Sequence, residues 1–298
     1  MKLQTLGFGL LLPAAFAVGC SSNPAREPAR ADLSTYCRVA SRAGLNSWVG
    51  SLVTTCTDED ESGEGTCSLF RVRGTNLDPV SLPASVTNPI WAAETSSALF
   101  VLSDAGQLSR IQGSEVEVIA PLARDPSLSS AGDRLVFMAA PEGVTEWDFD
   151  VQMLIQSYSV RSRAVSTVIQ DEFAYSPQAI PGSADVLFAS SRTSVPAIFR
   201  VSPGGDPTQL TNVGMTTMEQ ESVPPLTAQS LWANDGVYFA YAIDATESSV
   251  LHLNITTGEI SDVGPGFWPR LDANNDILAL APAGSTPCAF TYAAGGAR

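Results

Sequence analysis

The chain has 298 residues, with 16 Lys+Arg, 31 Asp+Glu and one His, which gives a formal charge of −15. This acidic balance disfavours a nucleic-acid binder and a protein held on anionic lipid by a basic patch, because both need positive surface charge. Hydrophobic residues make up 44% of the chain, and 23 Gly and 20 Pro interrupt it, so we expect a large, folded, turn-rich protein without long helices.

Residues 1–19 predict a signal peptide, because Met-Lys is followed by the apolar run 6–18 and by Gly19 directly before Cys20. The run is shorter than the roughly 20 apolar residues that a membrane span needs. Residues 17–20, Ala-Val-Gly-Cys, resemble the lipobox of bacterial lipoproteins, although Leu is commoner than Ala at the first position. The resemblance implies cleavage before Cys20 and a diacylglycerol on its thiol. An ordinary secretory signal is the alternative.

Residues 20–31 predict a short tether, because Pro is mixed with small and polar residues and no apolar period is present. Acyl chains on Cys20 would then be the only attachment to a membrane. Ser21 follows the cysteine, and the sorting rule of Gram-negative lipoproteins implies the outer membrane for such a sequence. We therefore expect a lipid-anchored protein of the bacterial cell envelope.

From residue 43 onward, a polar turn followed by an apolar strand recurs six times with a period of about 45 residues. The six segments are Val49–Cys56, Ser97–Leu102, Gly132–Met138, Ala184–Ala189, Asp235–Ala240 and Asn275–Leu280. A third, alternating strand and a fourth strand behind a Gly-containing turn follow most of them. Four short antiparallel strands per repeat predict the blade of a β-propeller, since one small sheet cannot bury both of its faces alone. A β-sandwich or two small β-domains are the alternative.

Two of the repeats resemble a known family. Residues 173–212 contain Ser-Pro, an apolar strand, Ser-Ser-Arg and Leu-Thr-Asn in the order of the WD40-like repeat of the TolB propeller, and residues 125–137 are a second match. The resemblance implies an all-β propeller, six-bladed by the number of repeats, and says little about function. We expect the propeller to span residues 32–298, without the additional domain of TolB or the hydrolase domain of prolyl oligopeptidases, so neither activity is transferred.

The sixth repeat lacks a fourth strand, and an alternating segment, Leu33–Ala40, precedes the first repeat. We therefore expect this segment to join the last blade as a strand and close the ring, which removes two exposed sheet edges.

Apart from Cys20, four cysteines remain, and three pairings are open to them in an oxidising compartment. Cys56 and Cys67 bracket a polar hairpin, while Cys37 and Cys288 lie on the two strands that ring closure would pair. We predict the disulfides Cys56–Cys67 and Cys37–Cys288.

The hairpin between Cys56 and Cys67 contains candidate calcium ligands. Asp58, Asp60 and Ser62, followed by Gly, match the first half of a calcium loop, in which alternating oxygens meet a hard cation. The bidentate acid is missing, because Leu69 stands at position twelve of the loop. We interpret the segment as a solvated acidic hairpin, with calcium as the alternative and no other cofactor expected.

The longest insertion, residues 141–150, combines acids with aromatic side chains: Glu142, Glu146, Trp147, Asp148, Phe149 and Asp150. Paired carboxylates are what a glycosidase uses, but no partner acid elsewhere in the sequence can be placed beside them. Aromatic anchors among acids are typical of a protein interface, so we interpret these residues as partner-binding.

The sequence contains no nucleophile constellation and no Gly-rich phosphate loop, and its one histidine, His252, alternates with leucines in a strand. We predict a non-enzymatic lipoprotein that binds an envelope protein through propeller loops, without catalytic residues or a nucleic-acid partner. The alternatives are a carbohydrate-active or calcium-dependent propeller hydrolase and a module that binds cell-wall glycan without cutting it.

Overall fold

The structure is a computed structural model, and it describes residues 37–39, 45–57, 65–74, 76–146, 152–193, 197–211, 231–233, 236–242, 248–271, 276–281 and 288–292. In these ranges the chain is almost entirely β-structure, with helix confined to residues 37–39. Cys20, the predicted signal peptide and the predicted tether lie outside the described residues. Among the residues described, no helix is long and apolar enough to cross a membrane.

The strands form six antiparallel sheets, each of which is one blade of a propeller. Blade 1 contains β1 (Leu45–Val49), β2 (Leu52–Cys56), β3 (Cys67–Arg73) and β4 (Asn76–Pro79). Blade 2 contains β5 (Pro89–Glu94), β6 (Leu99–Ser103), β7 (Leu108–Gln112) and β8 (Glu115–Ala120). Blade 3 contains β9 (Ala123–Leu128), β10 (Arg134–Ala139), β11 (Leu154–Ser159) and β12 (Val165–Gln170). Blade 4 contains β13 (Ala174–Ala179), β14 (Val186–Ser190), β15 (Ala197–Val201) and β16 (Thr208–Gln209). Blade 5 contains β17 (Leu231–Ala233), β18 (Gly236–Ala242), β19 (Ser248–Asn254) and β20 (Ile260–Pro265). Blade 6 contains β21 (Phe267–Leu271), β22 (Ile277–Leu280) and β23 (Ala289–Tyr292).

Within each blade the strands pair in chain order, so the first strand forms one edge of the sheet. First strands of neighbouring blades contact one another, as β1 does with β5 and β9 with β13. The first strands therefore surround the axis of the ring, and the last strands lie outside. The predicted all-β, six-bladed β-propeller is confirmed.

The second strand of each blade supplies the core, because both of its faces are covered. In β10, Leu135 and Phe137 pack in a cluster shared with blade 2, whereas Val136 and Met138 pack in a cluster shared with blade 4. All four side chains are fully buried. Since successive side chains of a strand point to opposite faces, a strand between two blades needs apolar residues at every position. This is why the repeated segments are continuous apolar runs.

A bulge interrupts the first strands of blades 3 and 4. Two residues of the first strand, Asp125 with Pro126 and Ser176 with Pro177, stand opposite a single residue of the second strand. Asp125 and Ser176 have φ angles of 50° and 49°, and Asn88, which precedes the first strand of blade 2, has a φ of 44°. These values lie in the left-handed region that glycine adopts most easily. A bulge tolerates proline because the extra residue does not need to donate to the ladder.

The left-handed conformation predicts an inverted order of stability for two variants of Ser176, whose side chain is 2% exposed. In an ordinary strand, glycine is less stable than alanine by about 0.5–1 kcal/mol. At φ 49° the order reverses, and we expect Ser176→Gly to be more stable than Ser176→Ala by about 1 kcal/mol, because alanine has the Cβ that disfavours this region. Urea unfolding of both variants measures the difference. A more stable alanine variant would contradict the left-handed backbone.

Ring closure differs from the prediction. Residues 37–39 are helical, and the described part of blade 6 has three strands, so the predicted closing strand Leu33–Ala40 is wrong over the residues that are described. Val39, which is 2% exposed, packs instead with Trp48 of blade 1 and Leu278 of blade 6. Residues 37–39 therefore close the ring by packing between blades 1 and 6.

Both predicted disulfides are confirmed. Cys37 is bonded to Cys288, which directly precedes β23, and Cys56 is bonded to Cys67 across the ends of β2 and β3. The first of these bridges joins residues 251 positions apart, so it links the two ends of the ring covalently.

Candidate functional site

The two segments with candidate chemistry leave the ring on the same side. We define the upper face as the end of the ring at which the first strands begin and the second strands end. At this face, hydrogen bonds join the start of a first strand to the end of the second strand in the same blade. Asp104 N donates to Asn88 O at 2.9 Å in blade 2, and Ala140 N donates to Leu122 O at 3.0 Å in blade 3. Residues 57–66 follow β2 and residues 140–153 follow β10. The acidic hairpin and the long insertion are therefore both attached to the upper face.

The base of the acidic hairpin is held by several bonds. On the hairpin side of the Cys56–Cys67 disulfide, Thr57 N donates to Thr66 O at 3.0 Å, and Thr66 N donates to Thr57 Oγ1 at 3.1 Å. Cys67 N also donates to Asn88 Oδ1 of the next blade at 3.4 Å. The candidate calcium ligands Asp58, Asp60 and Ser62 lie outside the described residues. Within the described ranges, no group of three His, Cys, Asp or Glu residues is placed to hold a metal ion.

The long insertion lies in the connection between β10 and β11, residues 140–153, which is described at its two ends. Glu142 and Glu146 are exposed, and Val144 N donates to Pro141 O at 3.2 Å in the turn between them. The four remaining predicted residues, Trp147, Asp148, Phe149 and Asp150, lie outside the described residues. At the far end, Met153 O accepts a hydrogen bond from Asp171 N at 3.4 Å, so the insertion ends beside residues 171–173, the connection between blades 3 and 4.

Phe173 is exposed in this connection, and it was not among the site residues predicted from the sequence. Its side chain is 48% exposed, and its backbone N–H donates to Asp171 Oδ1 at 3.0 Å. Glu172 beside it is also exposed. The sequence feature that could have identified Phe173 is its place in a connection of only three residues between two strands. In the structure, no neighbouring blade covers this connection at Phe173. The structure thus brings Phe173 and Glu172 to the root of the predicted partner-binding insertion.

Asp171 holds this connection in place. Its Oδ2 accepts hydrogen bonds from Arg192 Nη2 at 2.6 Å and from Ser190 Oγ at 3.2 Å. The side chain of Asp171 is 4% exposed, and the guanidinium of Arg192 also lies 5.3 Å from the ring of Phe199. The first and last residues of the Ser-Ser-Arg motif at the end of β14, Ser190 and Arg192, are therefore donors to a buried carboxylate. This arrangement is structural, because all of its groups are engaged with one another.

Asp125 is a second carboxylate near the upper face, at the bulge of β9. Its Oδ2 accepts a hydrogen bond from the N–H of Ser176 in the adjacent first strand at 3.2 Å. Burial raises the pKa of Asp125 above its usual value, while the Ser176 N–H and the charge of Arg124 oppose this rise. The contact joins the two left-handed residues of blades 3 and 4.

His252 lies in the third strand of blade 5, as expected from its alternation with leucines. Its ring is tilted against that of Tyr238, with the centroids 4.5 Å apart. It is half-buried between strands, and its ring packs on a neighbouring aromatic ring of the same blade.

Comparisons with known proteins identify the fold. No protein-family model and no curated protein matches the sequence, but several solved structures do. An oligogalacturonate lyase in complex with manganese is similar with a TM-score of 0.52 and 9% identity, over 79% of this chain and 69% of that one. TolB from Acinetobacter baumannii is similar with a TM-score of 0.51 and 17% identity, over 74% of this chain and 55% of TolB. An oligogalacturonate lyase from Vibrio parahaemolyticus is similar with a TM-score of 0.50 and 11% identity, over 77% of this chain and 67% of that one.

At these identities the likeness concerns the fold alone, and the matched region spans little more than half of the TolB chain. The matched structures include TolB, the protein whose propeller repeat residues 125–137 and 173–212 resemble in sequence. The protein is a six-bladed β-propeller with a TolB-like fold.

Proposed function

We propose that the protein is a non-enzymatic, lipid-anchored scaffold of the bacterial cell envelope, which binds a protein partner through the upper face of its propeller. The observation that carries the proposal is Phe173, an aromatic side chain that is 48% exposed at the root of the acidic and aromatic insertion.

Exposed aromatic side chains on a rigid support are typical centres of protein interfaces, because they bury a large apolar area with little loss of side-chain entropy. Three large hydrophobic residues are strongly exposed in the described part of the chain, and the other two, Val118 and Val165, lie on the outermost strands of blades 2 and 3. Among the residues that the structure describes, Phe173 alone combines such exposure with a position on the upper face. Its backbone is fixed by Asp171, so little ordering is needed on binding.

Two features support the envelope location. Two disulfides require an oxidising compartment, such as the periplasm or the cell exterior. The lipobox-like sequence that ends at Cys20 supplies a lipid anchor, and Ser21 favours the outer membrane. The TolB-like fold is compatible with a protein partner.

A second candidate is an enzyme or a glycan-binding module, favoured by the similarity in fold to oligogalacturonate lyases. In that case Glu142 and Glu146 would face a glycan and act on it or hold it. The geometry gives this candidate less support, because both side chains are exposed, whereas a carboxyl acting as a general acid needs a raised pKa, usually from burial.

The test is affinity purification of the lipidated protein from crosslinked envelopes, with Phe173→Ala as the variant and Val165→Ala as the control. Loss of a central aromatic anchor costs about 2 kcal/mol or more, so recovery of a partner should fall by about 30-fold. Val165→Ala should leave recovery unchanged, because Val165 lies on an outer strand. In the same experiment, Cys20→Ser should move the protein from the membrane fraction to the soluble one. Glycan turnover that Glu142→Gln abolishes, with no partner recovered, would favour the enzyme instead.

A further inference from the structure

Positive charge is concentrated toward the lower face, the end of the ring opposite the upper face, where arginines are paired with acidic residues. Arg163 lies in the turn between β11 and β12 and contacts Glu115 Oε1 at 3.2 Å. Arg200, near the end of β15, contacts Asp185 Oδ2 at 2.5 Å. A third cation, Arg134 at the start of β10, donates to the carbonyl of Asp185 at 2.8 Å. The lower ends of the blades thus join arginines with acids and carbonyls.

The upper face has the opposite composition. Residues 57–66 contain five acidic residues and residues 140–153 contain four, and neither segment contains Lys or Arg. Exposed acids also stand on the described part of this face, at Asp104 and Glu172. Arg192 is paired with the buried Asp171, and Arg38 and Arg124 are the other exposed cations among the described residues at this end. The ring is therefore electrostatically polar along its axis.

We propose that the partner presents a basic peptide segment, in which lysine or arginine residues flank an apolar side chain that packs on Phe173. The inference rests on the proposed function and specifies the chemistry of its partner. Complementary charge brings such a segment to the upper face and sets its orientation, while the exposed ring of Phe173 supplies the apolar contact. The negative charge of the upper face repels nucleic acid, anionic lipid and acidic glycan, which argues against those ligands at this surface.

The experiment measures binding of a fluorescent eight-residue peptide of alternating Arg and Leu to the full-length protein by fluorescence anisotropy. The variant Glu146→Lys/Glu172→Lys reverses two exposed charges on the upper face. The control variant Asp206→Lys/Glu259→Lys reverses two exposed charges on lower-face turns and changes the net charge by the same amount. We expect the upper-face variant to weaken binding on the order of tenfold and the control to change it less than about twofold.

Equal losses in both variants would mean that the peptide senses only the overall charge, and no loss in either would mean that it binds elsewhere. Both results overturn the basic-segment proposal. Phe173→Ala separates this failure from a failure of the scaffold function. If crosslinking in envelopes still recovers a partner that Phe173→Ala removes but Glu146→Lys/Glu172→Lys does not, the scaffold stands and its partner is not basic.

Discussion

Replacing Asp171 with alanine is expected to lower the free energy of unfolding by about 3 kcal/mol. Asp171 is 4% exposed in its side chain, and its carboxylate accepts hydrogen bonds from Arg192, from the buried hydroxyl of Ser190 and from the backbone N–H of Phe173. Removing one partner of a buried ion pair leaves the other charge and its donors without compensation, which costs about 3–5 kcal/mol, and we take the low end because the Arg192 side chain is 29% exposed.

Chemical denaturation of Asp171→Ala and of a control, Asp206→Ala, measures this loss. Asp206 lies in the exposed turn before β16, so its variant should remain within about 0.5 kcal/mol of the parent. Asp171→Asn should retain part of the stability, because its carbonyl still accepts hydrogen bonds. If Asp171→Ala were as stable as the control, the Ser-Ser-Arg segment would have no structural role through Asp171.

The second large effect concerns the disulfide between Cys37 and Cys288. In the chain-entropy account, a bridge stabilises the fold by restricting the unfolded chain, and the gain rises with the length of the closed loop. For a separation of 251 residues it amounts to about 5.5 kcal/mol, and for the separation of 11 residues between Cys56 and Cys67 it amounts to about 2.8 kcal/mol. We expect Cys37→Ser/Cys288→Ser to be the less stable double variant by about 3 kcal/mol.

The double variant Cys56→Ser/Cys67→Ser is the matched control, since it also replaces two half-buried cysteines by serines. Thermal unfolding of the two variants under the same buffer conditions gives the comparison. Equal midpoints would show that residues 37–39 close the ring without the Cys37–Cys288 disulfide. Packing of Val39 between blades 1 and 6 would then be the main closing interaction.

Much of the fold could be predicted because the second strands carry a strong sequence signal. A strand covered on both faces is apolar throughout, so the predicted segment Gly132–Met138 overlaps β10 (Arg134–Ala139), and Ala184–Ala189 overlaps β14 (Val186–Ser190). The polar turn that precedes each of these strands marks where it begins. First strands were located less well because several of them contain a proline, and fourth strands because most of their side chains are not buried.

Residues 37–39, the described part of the segment before the first blade, were assigned the wrong period. Leu33, Cys37, Val39 and their polar neighbours alternate as in a strand, but Leu33, Tyr36, Cys37 and Ala40 also recur at helical spacing. A short run of this kind fits both periods, and tertiary packing decides between them. The pairing of Cys37 with Cys288 was nevertheless correct, because it depends on the nearness of the two chain ends and not on the type of element that carries them.

The candidate site was only partly predictable for a different reason. Acids and aromatics in a long insertion are visible in the sequence, whereas the exposure of Phe173 depends on what covers it. A phenylalanine next to a strand is normally part of a core. Only the arrangement of blades shows that Glu172 and Phe173 are left uncovered at the upper face.

The prolines at the bulges of the first strands have a consequence for assembly of the ring. Each first strand has a partner on one side only, and its other edge faces the axis together with the edges of the other blades. Six similar sheets in one chain could join edge to edge while they fold, as unprotected strand edges do in aggregates and swapped domains. Pro126 and Pro177 have no N–H to offer, and the left-handed turn before each of them bends the edge. We expect these two positions to keep blades 3 and 4 separate folding units until they stack on their neighbours.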